Sequence, residues 1–393
     1  MKKTLLTICL VWMCFSLSAQ KIIDLSGKWS FSIDRQDNGE KEKWFSHTLN
    51  DFINLPGSMP EKLKGDEVTA KTQWTGSLYD SSYYYNPYME KYRKEGNIKF
   101  PFFLTPDKHY VGAAWYQKEV NIPADWKGER ILLFLERPHI ETTVWVNGQK
   151  TGMQNSLCVP HQYDITHYVR PGKCTITIRV DNRIKEINVG PDSHSITDQT
   201  QGNWNGIVGR ICLQTTPKTY FDDIQIYPEP EQKLARVKVV IKGTGTAKVK
   251  LSAESFNTDK KHIVPAIQQE IKLNKGVTET EMVLPMGNDM LLWDEFHPAL
   301  YKLKAEVTNG KKTEIKEIQF GMRRFEIKGK WFYVNGRKTQ LRGTVENCDF
   351  PLTGYAPMDV ESWERVFRIC RSYGLNHMRF HSFCPPEAAF MAA

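Results

Sequence analysis

Several common signatures are missing from this 393-residue sequence, and each absence removes a class of function. The formal net charge is +8, but no run of Lys and Arg exceeds two residues. Nucleic-acid binding would require a basic stripe or a known binding module, and the sequence has neither. No Cys-x-x-Cys pair occurs, which argues against a structural zinc site.

Beyond the first 19 residues the chain also lacks an apolar run of about 20 residues, the length that a membrane-spanning helix needs. The remaining cysteines are too few for a disulfide scaffold in a chain of this length. We therefore expect buried free thiols at these positions: Cys158, Cys174, Cys212, Cys348, Cys370 and Cys384.

Residues 1–19 have the composition of a signal peptide. Lys2 and Lys3 are basic, Leu5 to Phe15 are mostly apolar, and small residues lead to Ala19. Cys14 lacks the small preceding residue expected of a lipidated cysteine, so free export is favoured over a lipoprotein. The segment predicts cleavage after Ala19 and a periplasmic or secreted protein.

Residues 20–217 predict a first domain of β-strands, because apolar and polar residues alternate with period two. Trp29, Phe31 and Ile33 form one such strand, and Asn147-Gly148 after Val146 is a strong hairpin signal. No long helical period interrupts these runs. An all-β sandwich of the jelly-roll type is the predicted fold.

Two stretches of this domain break the alternation. Residues 65–110 are rich in aromatic side chains, which either pack on the sandwich as a lid or line a sugar cleft. Asp198 to Ile211 combines three glycines, Trp204 and amide side chains, and predicts either a structural turn or a loop whose polar groups bind hydroxyls. The rings of the first stretch are Trp74, Tyr79, Tyr83, Tyr84, Tyr85, Tyr88 and Tyr92.

Residues 218–320 predict a second sandwich, because about seven alternating strands occur in about 100 residues. This number of strands is typical of an immunoglobulin-like fold, although the Cys–Trp–Cys pattern of antibody domains is absent.

Residues 321–393 predict a different architecture. A strand at Gln340 to Thr344 is followed by a helix with Asp359 as N-cap and Gly374 as its stop, and then by a strand at Leu375 to Phe380. Strand, helix and strand in this order begin a parallel α/β sheet. In a (β/α)₈ barrel the chemistry lies where the strands end.

Polar residues gather at these two predicted strand ends. Glu346, Asn347 and Asp349 follow the first strand, and Arg379 and His381 lie at the end of the second. Two interpretations remain open: a solvated loop with a structural ion pair, or a set of side chains that bind substrate.

Taken in order, these pieces resemble glycoside hydrolase family 2, the family of β-galactosidases, β-glucuronidases and β-mannosidases. The resemblance implies a jelly roll, an immunoglobulin-like domain and the first strands of a (β/α)₈ barrel. The motifs that carry it are Gly27-Lys28-Trp29, Leu55-Pro56-Gly57, Val144 to Gly148, Trp204 to Arg210, Leu292 to Tyr301, Leu341-Arg342-Gly343, and Arg379 with Pro385-Pro386.

The sequence departs from the family pattern in two places. Thr344 to Cys348 replaces an Asn and a His that usually follow the Arg-Gly pair, and His381 stands two residues after Arg379 where three is common. The resemblance also implies a catalytic Glu after an Asn, but no Asn-Glu pair occurs. We therefore expect the acid/base and nucleophile Glu residues to lie beyond Ala393, in a longer protein.

The resemblance implies a retaining glycosidase that acts on an oligo- or polysaccharide. Its chemistry requires no cofactor; some family members use Mg²⁺ or Na⁺, and no local metal-ligand spacing is visible here. The alternatives are a non-catalytic carbohydrate-binding protein and a structural β-sandwich protein. The predicted substrate-binding residues are Arg379, His381, Glu346, Asn347, Asp198 and Trp204.

Overall fold

A computed structural model describes residues 20–75, 81–100, 105–185, 196–198 and 201–393. The predicted signal peptide, Tyr79 and the pair Gln199-Thr200 lie outside these ranges. The chain divides into two compact units. The smaller comprises Pro217–Ile327 and Tyr333–Arg337, and the larger comprises Lys21–Thr216, Lys328–Phe332 and Lys338–Ala393.

The larger unit contains the first predicted sandwich, built from two antiparallel sheets. One sheet has the order β1-β13-β8-β11, with β4 beside β13, and the other has the order β10-β9-β12-β7-β2-β3. The strands are β1 (Ile22–Asp24), β2 (Gly27–Asp34), β3 (Asp51–Leu55), β4 (Gly57–Ser58), β5 (Asp66–Glu67), β6 (Lys108–His109), β7 (Ala113–Ile122), β8 (Arg130–Pro138), β9 (Glu141–Val146), β10 (Gln149–Asn155), β11 (His161–Asp164), β12 (Gly172–Asp181) and β13 (Gly206–Thr216).

Side chains from both sheets fill the space between them. Trp29 and Phe31 of β2 are buried there, as the alternation predicted, with Tyr116 of β7 beside Phe31 at 5.2 Å between ring centroids. Asn147 and Gly148 take positive φ angles of 50° and 76° in the tight turn between β9 and β10. The predicted jelly-roll sandwich is confirmed, and its hairpin forms where the Asn-Gly pair indicated.

The smaller unit contains the second predicted sandwich. Its sheets have the orders β14-β15-β18 and β17-β16-β19-β20, and the seven strands agree with the number that the sequence predicts. The strands are β14 (Tyr220–Glu229), β15 (Leu234–Lys242), β16 (Gly245–Phe256), β17 (Ile263–Leu273), β18 (Val277–Pro285), β19 (Leu300–Asn309) and β20 (Lys312–Phe320).

The short elements complete the description. The α-helices are α1 (Ser81–Tyr85), α2 (Val360–Ser372) and α3 (Glu387–Ala392), and 3₁₀ turns occupy Trp44–Ser46, Pro87–Tyr92, Ala124–Trp126 and Pro230–Gln232. The last strands are β21 (Phe325–Lys328), β22 (Trp331–Val334), β23 (Arg337–Thr339), β24 (Gly343–Glu346) and β25 (His377–Phe380). No helix among the described residues is long and apolar enough to cross a membrane.

The predicted strand, helix and strand of the third segment form as a parallel unit. Strands β24 and β25 pair in parallel, and α2 connects them. Asp359 caps α2, because its carboxylate accepts from the Ser362 N–H at 2.8 Å, and Gly374 follows the helix with φ of 77°. The mostly β fold class with the start of a parallel α/β segment is confirmed.

One strand boundary in this segment was wrong. The first parallel strand covers Gly343 to Glu346 and not Gln340 to Thr344, so Glu346 is the last residue of the strand. The stretch around Gly343 has no alternating pattern, and the pairing of β24 with β25 decides where the strand begins.

The cysteines agree in part with expectation. All six cysteines among the described residues are free thiols, as predicted, but Cys174 alone is buried and Cys384 is exposed.

A cluster of charged side chains surrounds the buried end of β12 in the jelly roll. Asp181, the last residue of β12, is fully buried and pairs with Arg179 at 2.9 Å, Arg183 at 2.5 Å and Lys185 at 2.9 Å. Burial opposes ionisation, but hydrogen bonds from Arg183 and Lys185 outweigh it and hold the pKa of Asp181 well below its usual value. Folding therefore favours the ionised carboxylate.

We predict that Asp181→Asn lowers the free energy of unfolding of the larger unit by about 1.5–3 kcal/mol at pH 7, because it weakens the charged hydrogen bonds of a buried carboxylate. The loss stops there because Arg179 and Arg183 keep Asp37, and Lys185 keeps Glu141, as ion-pair partners. Since the folded-state pKa is lowered, this contribution is present above the unfolded value of about 3.9 and is lost as pH falls below it. The measurement is urea unfolding followed by tryptophan fluorescence, because Trp293 is the only tryptophan of the described residues in the smaller unit.

The control is Glu119→Gln, which removes an exposed ion pair with Lys173 and should cost less than about 1 kcal/mol. Equal losses in the two variants, or a loss for Asp181→Asn that persists unchanged at pH 2, would contradict the prediction.

Candidate functional site

The parallel strands bring the predicted polar residues to one edge of the larger unit. Glu346 is in register with Phe380, and the His381 N–H donates to the Glu346 carbonyl at 2.8 Å. Because both strands run in the same direction, their carboxyl ends meet at the same edge. We call this the strand-end edge, and it is formed by Glu346, Asn347, Arg379 and His381.

Arg379 lies on the open face of the parallel pair. Its neighbours in β25, Met378 and Phe380, face the helix and pack in one cluster with Trp363 of α2, which is 5.6 Å from Phe380 between ring centroids. Alternation in a strand directs Arg379 to the opposite face, beside Val345 of β24. Its side chain is exposed, and among the described residues none forms a hydrogen bond or an ion pair with its guanidinium.

Glu346 stabilises the turn that follows its strand. Its carboxylate accepts from the Cys348 N–H at 2.8 Å, and Cys348 has a positive φ of 62°. Burial of the half-buried side chain raises the pKa of Glu346 above its usual value. Asn347 between them is exposed, with its amide available at the strand-end edge.

His381 connects the strand-end edge to the jelly roll. Its carbonyl accepts from Nε2 of Gln201 at 2.8 Å, and its Nδ1 lies 3.3 Å from the Ser382 hydroxyl. Gln201 belongs to the loop before β13, so a jelly-roll loop and the second parallel strand are held together by a direct bond. Sequence analysis included Gln201 in a candidate loop but did not single it out.

Asp198 lies three residues before Gln201 and is buried, with 1% of its surface exposed. Its two oxygens accept from the backbone N–H groups of Thr75 at 2.6 Å and Asn203 at 3.0 Å, and one lies 3.5 Å from Nε2 of His109. The structure does not bring this carboxylate to the surface of the strand-end edge. In this position Asp198 fixes two loops relative to each other.

Trp204 is also buried, at 5% exposure, and packs between two parts of the larger unit. Its ring stacks on His139 at 4.5 Å with an interplanar angle of 18°, and Tyr355 lies 5.4 Å away. Gly354 has a positive φ of 84°, and a Cβ there would come within 2.8 Å of Trp204 Cδ1. Trp204 thus packs against both the jelly roll and the loop before α2.

Burial lowers the pKa of His139 to about 3, so this imidazole is neutral at physiological pH. A neutral ring stacks on the indole without placing a charge in the interior. Sequence analysis missed His139, Gly354 and Tyr355, since none stands in a motif of its own.

A small cavity lies beside Trp204, with a volume of about 60 Å³. A water molecule needs about 10–15 Å³ of such space, so the cavity has room for a few waters and not for a sugar ring. Arg137 forms part of the cavity lining, and its guanidinium donates to the carbonyls of Cys384 at 2.7 Å and Pro385 at 3.3 Å. Its lining includes Arg137, His139, Cys158, Gln201, Trp204, Cys348, Tyr355, Met358 and Phe383.

No described part of the chain brings three or more His, Cys, Asp or Glu residues together in a way that would hold a metal ion. The arrangement can instead present a cation, amides and an imidazole to a polar ligand at the strand-end edge. Its chemistry is that of binding and positioning.

Comparisons with known proteins agree on one family. The family model described as "Glycosyl hydrolases family 2, sugar binding domain" matches residues 22–217, and the model "Glycosyl hydrolases family 2" matches residues 219–323. A β-galactosidase of Thermoanaerobacter pseudethanolicus is 24% identical over 75% of this chain and 39% of its own length. The human β-glucuronidase is 23% identical over 91% of this chain and 53% of its own length.

The fold is shared with solved structures. The crystal structure of Ruminococcus gnavus β-glucuronidase superposes with a TM-score of 0.67 at 19% identity, covering 95% of this chain and 57% of that protein. The chain therefore spans roughly half the length of the relatives that it matches.

We predict that Gly354→Ala destabilises the larger unit by about 2–4 kcal/mol, because the added methyl group both strains the backbone and displaces Trp204. The measurement is the free energy of unfolding in urea, together with the emission wavelength of tryptophan fluorescence, which should shift to the red as water reaches the indole.

Gly374→Ala is the matched control, since Gly374 also has a positive φ but a Cβ there would meet nothing within 4 Å. It should cost about 1 kcal/mol and leave the emission unchanged. Similar losses and spectra for the two variants would show that the contact with Trp204 is unimportant.

Proposed function

Because the chain belongs to glycoside hydrolase family 2, we propose that it is the substrate-binding part of a retaining β-glycosidase, which hydrolyses O-glycosidic bonds in an oligo- or polysaccharide. The observation that carries the proposal is the strand-end edge. There the exposed Arg379, whose guanidinium has no partner in the described part of the chain, lies on the open face of a parallel strand pair. Gln201 of the jelly roll contacts the nearby His381.

In this proposal the two parallel strands begin a (β/α)₈ barrel. One face of the pair is covered by α2, and the other would become the interior of the barrel. Arg379 then points into the barrel at the edge where the chemistry occurs. Since the chain covers 53% of the human β-glucuronidase and 57% of the Ruminococcus gnavus structure, we propose that the remaining strands follow in a longer protein.

Retaining hydrolysis uses two carboxyl groups about 5–5.5 Å apart. One attacks the anomeric carbon as the nucleophile and forms a glycosyl-enzyme intermediate, while the other protonates the departing glycosidic oxygen. The second carboxylate then takes a proton from water, whose oxygen attacks the same carbon; the bond to the nucleophilic carboxylate breaks, and the sugar is released. We propose that later barrel strands supply both groups.

The residues of this chain would bind and orient the reacting groups. The guanidinium of Arg379 would donate charge-assisted hydrogen bonds to a substrate hydroxyl or to the nucleophilic carboxylate, and would keep that carboxylate ionised. Asn347 and His381 would bind sugar hydroxyls. Glu346 would hold the turn that presents Asn347.

Asp198 and Trp204 would support substrate binding indirectly, by fixing the positions of the loops against which they pack. Direct contact between Asp198 and a sugar would require the loss of two hydrogen bonds to backbone N–H groups. The proposal therefore gives both residues a positioning role behind the jelly-roll loop that contains Gln201.

The polypeptide translated from the complete reading frame should hydrolyse an aryl β-glycoside from a panel that includes glucuronides, galactosides and mannosides. Proton NMR should show that the first product keeps the anomeric configuration of the substrate. The 393-residue chain alone should be inactive. Glycan binding without hydrolysis by the complete polypeptide would favour the non-catalytic alternative, and inversion would contradict the mechanism.

We predict that Arg379→Gln in the complete polypeptide lowers kcat/KM by about 10- to 150-fold, which corresponds to a lost charged hydrogen bond of about 1.5–3 kcal/mol. The melting temperature should not change, since the guanidinium has no partner among the described residues. Arg365→Gln, at an exposed position of α2, is the control and should leave kcat/KM unchanged. Full activity of Arg379→Gln would show that Arg379 does not bind the substrate or the nucleophilic carboxylate.

We further propose that the protein is exported, on the basis of residues 1–19. Expressed in its own host, the mature chain should begin at Gln20 by amino-terminal sequencing and be recovered outside the cytoplasm. A mature chain that retains Met1 in the cytoplasmic fraction would contradict this.

A further inference from the structure

The aromatic-rich stretch after β5 has a small core of its own. Trp74, Tyr83 and Phe100 are each less than 10% exposed, and Phe100 lies 4.7 Å from Trp74 and 4.6 Å from Tyr83 between ring centroids. The Tyr83 hydroxyl donates to the Tyr92 carbonyl at 2.9 Å. We call residues 81–100 the aromatic segment, and this core gives it a defined shape.

Trp74 connects the segment to the loops behind the strand-end edge. Its ring lies 4.7 Å from His109, which neighbours Asp198, and the adjacent Thr75 N–H donates to the Asp198 carboxylate. Asn203 donates to the Thr75 hydroxyl at 3.0 Å. The same jelly-roll loop thus contacts both the base of the segment and, through Gln201, His381.

Two tyrosines of the segment point into solvent. Tyr85 is 78% exposed and Tyr88 is 85% exposed, and their hydroxyl groups have no partner within the described ranges. They flank a rigid turn in which the Asn86 side chain accepts from the Tyr88 N–H at 3.0 Å and Pro87 begins a 3₁₀ turn. The backbone that carries both rings therefore has a defined conformation before any ligand arrives, which lowers the entropy cost of binding.

The segment that carries these rings has a positive formal charge. Residues 81–100 contain four basic residues and two acidic ones, a formal charge of +2. Lys91 and Lys99 are exposed, and their ammonium groups lie 4.9 and 6.0 Å from the centre of the Tyr92 ring. Lys94 is paired with Glu90 at 3.4 Å, so Lys91 and Lys99 are the cations best placed to meet an anionic ligand.

The side-chain types favour a glycan over a protein partner. A protein interface usually has an apolar centre, whereas the exposed large apolar side chains of the segment are Tyr85 and Tyr88 alone among its described residues. A flat ring with a hydroxyl at its rim suits the C–H face and the hydroxyls of a pyranose. Nearby ammonium groups suit carboxylates on the same chain of sugars.

We propose that the aromatic segment is an accessory binding site for an acidic polysaccharide. Pyranose rings stack on Tyr85 and Tyr88, and uronate carboxylates pair with Lys91 and Lys99. The proposal rests on the proposed function for the class of ligand, and it extends that function from the bond that is cleaved to a second point of attachment. Holding the polymer at two points raises the effective concentration of substrate at the strand-end edge.

The test is affinity electrophoresis of the full chain in gels that contain polygalacturonate or a neutral β-glucan. Polygalacturonate should retard the unchanged protein, and this retardation should weaken as salt is raised. Tyr85→Ala with Tyr88→Ala should weaken binding at least about 10-fold, a difference of about 1.4 kcal/mol. Lys91→Gln with Lys99→Gln should weaken binding to polygalacturonate as well.

Tyr373→Ala is the matched control, because Tyr373 is 81% exposed at the end of α2, and this variant should bind as the unchanged protein does. Absence of retardation, or equal retardation of the double tyrosine variant, would overturn the proposal. If the neutral glucan binds as well as polygalacturonate and the lysine changes have no effect, the proposal that the ligand is acidic would be overturned.

Failure of this proposal is separable from failure of the proposed function. In the complete polypeptide, Tyr85→Ala with Tyr88→Ala should leave kcat/KM for a small aryl β-glycoside unchanged and lower kcat/KM for a β-linked acidic polysaccharide. If the aryl glycoside is never hydrolysed but polygalacturonate still binds through the two tyrosines, the accessory site stands and the glycosidase proposal falls.

Discussion

The packing of Trp204 is the contact on which the candidate site depends. Its indole ring stacks on His139 of the jelly roll and leaves no space for a side chain at Gly354 in the loop before α2. This contact buries an aromatic surface that would otherwise face water on both parts. It holds the start of the parallel sheet against the jelly roll, and the Gln201–His381 bond then sets the position of the second strand end.

The parallel pair is the reason why we propose a function for its open face. Two parallel strands with one helix are stable only when their other face is also covered, because parallel sheets are buried on both sides. The face that carries Val345 and Arg379 is uncovered among the described residues. A cation at such a position is costly in an apolar core but useful in an active site, where a carboxylate can meet it. The position of Arg379 is therefore the basis of the substrate-binding role that we propose for it.

Local signals in the sequence predicted the elements well, but they did not predict the environment of the site residues. Alternation located Trp29 and Phe31 in the core, and the Asp359 cap and Gly374 stop bounded α2 correctly. Asp198 and Trp204 have the residue types of a sugar site, yet both are buried. The same carboxylate and ring serve either role, and the choice depends on partners distant in sequence, such as Thr75, 123 residues before Asp198.

The aromatic segment also shows that residue types alone do not predict which side chains are buried. Its rings predicted either a packed lid or a sugar-binding surface. The structure packs some of these rings and exposes others, and we propose sugar binding for the exposed ones. Tyr83 packs with Trp74 and Phe100, while Tyr85 and Tyr88, two and five residues further on, face solvent. The packed rings give the segment a defined backbone, so the exposed rings would bind with a smaller loss of backbone conformational entropy. A structural core and the proposed binding surface are therefore complementary uses of one short stretch, in which the buried rings set the backbone that carries the exposed ones.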